Sequence, residues 1–502
     1  MSDLRTVLRD LGGILIIVGF ISLVALAAPL YFSEGFGIAA ILITSALFFI
    51  VGTPLYLIFK NADLANFKSA MVTAALGWIF ISLIGSIPFI MIGFNKNDPL
   101  VTMDFLSAFF ESMSGWTGTG LTMVDKESLL PYTLQFWRSI IQWIGGVGVI
   151  VLTLSILARP GTGSFVLYRS EGRERKTHPS IVSTVRTIWW IFLLYTIIGV
   201  IALALIGSIT SNGMGLWESL NHAMTGIATG GFSVADDSIV GFGTISQIAI
   251  VFLMIFGGIA FAAHYDLLKG RVKRFLTDAQ FQAMILLLIL GVIILTLINL
   301  NDPNLIYKDN VLLSLKESGF QFVSALTCTG FASANIPAWT ESAKLILSFA
   351  MIIGGAAGST AGGIKLFRAI LLSKGASWRI KRSISTPRRV FVHKLGDKPL
   401  SKDEAMDLIN EAAIISFMWI ILLMVGILVI AYSFPKETLG NVIFEVCSAQ
   451  GNVGLSTGLT SMVDMDPIAK IMLIFSMWIG RLEIIPIIVL VKSMFGIRRN
   501  VL

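Results

Sequence analysis

Four times along this chain a long apolar stretch is interrupted by a short segment rich in small residues and then resumes. The segments are "SGWTGTGLT" centred on Gly120, "TGIATGGFS" on Gly231, "SALTCTGFA" on Gly330 and "SAQGNVGLS" on Gly454. Backbone at membrane depth must have its polar groups satisfied. Irregular segments there are tolerated only where protein buries them or where they line a water-filled cavity. Four equivalent interruptions therefore constrain the fold more than any other feature of the sequence.

The membrane setting follows from composition. Of 502 residues, 55% are hydrophobic and 13% charged, against about 25% charged in soluble domains. Apolar stretches such as 11–30, 37–59, 70–92 and 140–157 each approach the ~20 residues that a helix needs to cross the hydrocarbon core. The net charge is +7, but 28 of the 37 lysines and arginines fall in six segments: 1–10, 60–68, 158–186, 265–275, 365–402 and 492–502. These lie at alternate ends of the expected spans. The pattern is a positive-inside asymmetry that puts the six segments in the cytoplasm, and it speaks against nucleic acid as a partner. Each run reads first as a solvated basic loop; for 365–402, with eleven basic residues, docking of a partner or of anionic lipid is the alternative. Two cysteines and four histidines without an HExxH pattern exclude a disulfide framework and argue against a metalloenzyme. The N-terminus superficially resembles a signal peptide, with Arg5 and Arg9 before an apolar run, but the length of that run favours a retained first helix.

The expected fold is an all-α membrane protein with ten transmembrane helices. An N-terminal pair, 11–32 and 37–59, precedes four span–break–span units: 69–93 and 133–157, 186–208 and 245–267, 280–300 and 341–372, 409–433 and 467–492. The domain boundaries are 1–62 for the pair, then 63–160, 161–275, 276–390 and 391–502 for repeats 1 to 4. Both termini fall in the cytoplasm and every break on the outer side. Short amphipathic stretches at 104–113, 216–224, 315–323 and 442–447 precede the breaks. Too short to span and too apolar for free loops, they fit re-entrant half-helices.

Four such loops around one axis have a use. Glycine accepts φ > 0 and lets carbonyls turn toward a shared centre, and threonine adds hydroxyl oxygens. Stacked oxygen rings replace the hydration shell of a monovalent cation. The C-terminal ends of the half-helices favour a cation in the same place. The competing explanation is small-residue helix packing, which remains preferred for the glycines at 145–149 and 257–258 inside spans.

At this point the chain resembles the Trk/Ktr/HKT superfamily of potassium transporters, and the extra N-terminal pair resembles its TrkH branch. Further matches are "FWRSIIQWIGGVGV" at 136–149, "GGAAGSTAGGIK" at 354–365 and "WIGRLEI" at 478–484. The resemblance implies a pseudo-fourfold pore with K⁺ as the transported ion and no organic cofactor. Its selectivity filter would comprise Thr117, Gly118, Thr119 and Gly120; Ala228, Thr229, Gly230 and Gly231; Thr327, Cys328, Thr329 and Gly330; Gly451, Asn452, Val453 and Gly454. Sodium-selective plant relatives carry serine at the position of Gly120, so glycine here implies potassium permeation. It also implies a homodimer with a ring of TrkA-like, nucleotide-binding regulatory subunits in the cytoplasm. The location implied is the cytoplasmic membrane of a bacterium or archaeon. The chain has no GxGxxG fingerprint following a strand, so nucleotide sensing falls to the partner.

The segment 354–363 holds five glycines, each costing about 1 kcal/mol against alanine in a helix. It is expected to unwind below the filter, and the resemblance makes it a gate: Gly354, Gly355, Gly358, Ser359, Thr360, Gly362 and Gly363. Arg481, in mid-span, costs at least ~2.5 kcal/mol to insert and so faces a cavity or a partner. The favoured role is a cation beneath the filter that raises the barrier to permeating ions; a clamp on Glu483 or on carbonyls is the alternative. Arg138 reads as structural or snorkelling. Glu111, Glu218, His222, Glu317 and Glu445 read as loop supports, with attraction of cations at the outer mouth as the alternative. Two other functions stay open: a sodium- or proton-coupled symporter and, more remotely, a non-conducting membrane receptor. No nucleophile–base pair or metal cluster in the spans suggests an enzyme.

Overall fold

The computed structural model describes residues 2–96, 102–148, 181–302, 310–385, 393–395, 398–460 and 465–494. Residues 149–157 of the expected second span of repeat 1, and most of the basic segment 158–186, lie outside the described residues. The described chain is predominantly helical. Six helices are long and apolar enough to cross a membrane, and two further helix pairs pass the same test across a sharp bend.

The N-terminal pair comprises Ser2–Ser22, which continues through a 3₁₀ turn into Ala27–Tyr31, and Gly35–Ile58. Its two long helices pack on each other, and the first also packs on Phe67–Gly85, the opening span of repeat 1. Repeats 2, 3 and 4 open with Ile181–Ile209, Ala279–Leu300 and Lys402–Ser433. Sequence starts the last of these: the Ser401 hydroxyl accepts the Glu404 N–H while Glu404 accepts the Ser401 N–H, a capping box.

The half-helices are Phe105–Thr117, Leu216–Ile227, Val311–Leu326 and Leu439–Gly451. At 12 to 16 residues they are longer than expected and absorb the first part of each interruption. Asp104, Asn310 and Thr438 cap three of them through side-chain oxygens. Their packing closes a cycle. Each half-helix lies between the two spans of its own repeat and the second span of the preceding one, and the half-helix of repeat 1 packs on the second span of repeat 4, Pro467–Leu482.

The second spans are Tyr132–Val147, Thr244–Gly258, Glu341–Ile353 and Pro467–Leu482. The expectation of continuous second spans in repeats 2 and 4 is corrected. Thr244–Gly258 turns by 106° into Phe261–Leu268, and Pro467–Leu482 turns by 112° into Ile485–Met494. Neither bend contains proline; Glu483 and Ile484 instead carry φ of 58° and 73°. In repeat 3 the interruption at 354–363 precedes Leu366–Ser383, as expected. The all-α expectation has one local exception, a short antiparallel ribbon of His393–Leu395 and Lys398–Leu400.

Candidate ion pathway

Each half-helix ends in the same way. The residue two before the aligned glycine is left-handed: Gly118 at φ 68°, Thr229 at 49°, Cys328 at 55° and Asn452 at 52°. Its N–H donates to the carbonyl three residues back, at 3.0 to 3.2 Å. The next N–H, from Thr119, Gly230, Thr329 or Val453, donates to the carbonyl five back at 2.9 Å. These paired bonds are a Schellman end, repeated four times. Glycine and asparagine suit a left-handed C-cap, whereas threonine there costs about 1–2 kcal/mol. Thr229 therefore needs support from its surroundings.

The aligned glycines are themselves at positive φ: 91°, 76°, 88° and 98° for Gly120, Gly231, Gly330 and Gly454. Each faces the next loop. A Cβ on Gly120 would overlap the Gly230 carbonyl oxygen, and one on Gly231 that of Thr329. One on Gly330 would overlap that of Val453, and one on Gly454 that of Thr119. The order 1–2–3–4–1 closes, so the four loops form a ring with one carbonyl per loop at each junction. No larger side chain fits there without displacing the neighbouring oxygen.

A polar residue nine positions before each glycine holds the ring from behind. Glu111 accepts from the Met123 N–H at 2.8 Å and the Thr122 hydroxyl at 3.0 Å. His222 Nε2 meets the Ser233 hydroxyl at 2.9 Å, Gln321 donates to Ser333 at 3.4 Å, and Glu445 accepts from the Thr457 N–H at 3.0 Å. Of the carboxylates read as loop supports, Glu111 and Glu445 brace their own loops. Glu317 accepts from Ser333 at 2.5 Å. Glu218 contributes its backbone carbonyl to His222.

Arg138 does not snorkel. It is 1% exposed, pairs with Glu111 at 2.8 Å, donates to the Ser233 carbonyl at 2.9 Å and to Thr122 at 3.1 Å. It thus ties loop 1 to loop 2. Glu127 lies 4.0 Å away in the connection between the half-helix and second span of repeat 1. Burial, against the pull of Arg138, raises its carboxyl to about 7.

Below the ring, the segment 354–363 is fastened to three of the four loops. The Thr360 hydroxyl donates to the Gly257 carbonyl at 2.9 Å and accepts from the Thr229 hydroxyl at 2.9 Å, the support that a strained Thr229 needs. Backbone of Gly355 and Gly362 lies against the Cys328 thiol. The Gly363 N–H donates to the Gly451 carbonyl at 3.0 Å. The segment also clasps the bend of repeat 2: Ala356 N–H donates to Gly258, Thr360 N–H to Gly257, and Phe261 N–H to Gly358. Ser359 turns inward and bonds the Ala356 carbonyl at 2.6 Å.

Arg481 reaches the same place from repeat 4. Its guanidinium donates to the carbonyls of Gly145 and Thr360, and to that of Gly146 at 2.9 Å. It does not pair with Glu483, which binds Arg368 and, at 3.7 Å, Lys365. The repeats explain why an arginine fits here. Gly145, Gly257, Gly354 and Gly480 share one position in the second spans. In three of them, Gly145, Gly257 and Gly480, a Cβ would overlap or crowd a half-helix carbonyl, that of Trp116, Ile227 or Gln450. The packing reading of these glycines thus fits. The next residue is glycine in repeats 1 to 3 and Arg481 in repeat 4.

Sequence reading missed Gln142. Its side chain donates to the Gly230 carbonyl at 2.7 Å and accepts the Phe232 N–H at 3.0 Å. The signal was present: the same helix position holds Met254, Met351 and Met477 in the other repeats.

Comparison with known proteins agrees with this architecture. The TrkH family model, described as cation transport protein, matches residues 37–496. An uncharacterized cation transporter of Methanocaldococcus jannaschii is 34% identical over 98% of this chain and 96% of its own length. The Trk system potassium uptake protein TrkH of Salmonella typhimurium is 33% identical over 85% of this chain and 86% of its own. The crystal structure of the potassium transporter TrkH from Vibrio parahaemolyticus superposes with a TM-score of 0.81 at 26% identity, covering 98% of this chain and 99% of that one. These relatives are transporters rather than enzymes. The multi-pass helical chain, matched along nearly its whole length, belongs to the TrkH family of cation transport proteins.

Proposed function

We propose that this protein takes up potassium across the cytoplasmic membrane through a pore enclosed by its four repeats. The closed ring of junctions between Gly120, Gly231, Gly330 and Gly454 and the carbonyls of their neighbours carries this reading. Alternating left-handed residues turn successive carbonyls of one loop to a common side. Four loops together then present stacked oxygens that substitute for water around an alkali cation. The ligands would be the carbonyls of Thr117 to Gly120, Ala228 to Gly231, Thr327 to Gly330 and Gly451 to Gly454. Four half-helix C-termini converging on the ring favour positive charge there. The ion named for the Salmonella and Vibrio relatives is potassium, which supports it as the substrate here.

In the same reading the chain has ten spans with both termini inside, and the repeats divide at residues 63, 161, 276 and 391. The segment 354–363 obstructs the pore, and Arg481 adds a fixed positive charge under the ring. Opening would withdraw the segment from Thr229, Cys328 and Gly451. Regulation would come from a cytoplasmic nucleotide-binding partner acting on a homodimer, with the basic segment 365–402 as its landing place.

The test is potassium uptake into vesicles holding purified protein, under an imposed inside-negative voltage and with sodium and pH gradients absent. Uptake that follows voltage alone supports a pore. Uptake that appears only when a sodium or proton gradient is added supports symport and overturns the proposal.

A further inference from the structure

Three of the four second spans place a methionine at the level of the ring, and one places an amide. Met254, Met351, Met477 and Gln142 are all buried. A methionine side chain has no N–H to offer. Gln142 offers one, and it goes to the Gly230 carbonyl at 2.7 Å. Its oxygen is fixed in turn by the Phe232 N–H at 3.0 Å, so the amide cannot rotate away without losing both bonds. The Gly230 oxygen is the junction oxygen that Gly120 faces. Its three counterparts belong to Thr119, Thr329 and Val453, and among the described residues none of these accepts a protein hydrogen bond.

We infer that Gln142 is a positioning residue that sets the ion preference of the pore by holding one of four ring oxygens away from the ion. This rests on the reading of the ring as the selectivity filter. A carbonyl that already accepts an amide N–H has its orientation fixed by that bond and part of its electron density drawn toward the donor. Held back in this way, the Gly230 oxygen closes on a cation less fully than the other carbonyls named above as ligands, which lowers the number of full ligands. The ring therefore consists of three free oxygens and one restrained oxygen. Discrimination among alkali ions depends on the number and field strength of the coordinating carbonyls. Sodium, the smaller ion, fills its shell with fewer oxygens than potassium, so the loss of one full ligand costs potassium more. Gln142 thereby lowers the preference for potassium below what four equal carbonyls would give.

The experiment measures potassium and sodium flux in vesicles containing the full chain, for wild type, Gln142→Met, Met254→Gln and Gly120→Ser. Gln142→Met gives repeat 1 the residue of the other three and is expected to raise the potassium-to-sodium ratio about fivefold, the factor that one hydrogen bond is worth. Met254→Gln places an amide at the equivalent position next to loop 3 and is expected to lower the ratio. An unchanged or lowered ratio in a folded Gln142→Met protein, with Gly120→Ser still altering the ratio, overturns the role of Gln142 and leaves the filter standing. If none of the three variants moves the ratio, the filter reading itself falls. Should Gln142→Met fail to fold, Met254→Gln decides: a lowered ratio supports the inference and an unchanged one overturns it.

Discussion

Gly120 faces the carbonyl oxygen of Gly230 so closely that a Cβ at Gly120 would overlap it. At φ 91° the position is also closed to most L side chains. Two independent constraints therefore demand glycine at the first junction of the ring. Any larger residue there must push aside an oxygen of the neighbouring loop.

Arg481 holds the carbonyls of Gly145, Gly146 and Thr360 together beneath the ring. Arg481→Ala removes one anchor of the 354–363 segment and, in the proposed pore, a fixed charge from the pathway. Potassium flux is expected to rise about tenfold, the factor that about 1.4 kcal/mol of barrier is worth. Tracer uptake into vesicles measures it. A fall in flux with normal folding would contradict the gate assignment.

Arg138 and Glu111 form a buried pair at 2.8 Å. Arg138→Ala strands the Glu111 carboxylate, and breaking a buried pair from one side costs about 3–5 kcal/mol. Adding Glu111→Gln to that variant should recover part of the loss. Thermal unfolding of the single and double variants in detergent checks this. Equal destabilisation by both would mean that the pair is not coupled.

Glu127 makes stability depend on pH in a definite direction. Its carboxyl is raised by burial from 4.5 to about 7, so between those values the folded protein holds a proton that the unfolded chain releases. Stability from this group is present at low pH and is lost as pH rises through about 7. Thermal midpoints of wild type should therefore fall relative to Glu127→Gln as pH increases across that window. Parallel curves would show that Glu127 titrates normally.

Much of this arrangement was legible in the sequence because it is repeated. One glycine register aligned the four interruptions, and the density of glycine at 354–363 marked an unwound segment. The bends after Gly258 and Leu482 were not legible. No proline announces the first, which is fixed by bonds to residues about 100 positions away, from Ala356 N–H and to the Gly358 carbonyl; Pro486, in the first turn after the second, is a weak cue because proline is tolerated at the start of a helix. The extent of the half-helices was also missed, because Gly115 and Gly226 read as breakers. Both lie inside helices, and at Gly115 the Cβ it lacks leaves room for Ile141. For Arg138 the sequence left a structural role and snorkelling side by side, because its partner Glu111 is 27 residues away; the buried pair agrees with the structural one. Gln142 is visible only when the second spans are laid side by side.

The central claim is that the closed ring of loops selects the ion. The ratio of potassium to sodium flux through purified protein in vesicles, compared between wild type and Gly120→Ser, tests it most directly. The account predicts a preference for potassium in the wild type that drops in the variant as serine displaces the Gly230 oxygen. An identical ratio in both proteins, with the variant folded and conducting, would contradict it.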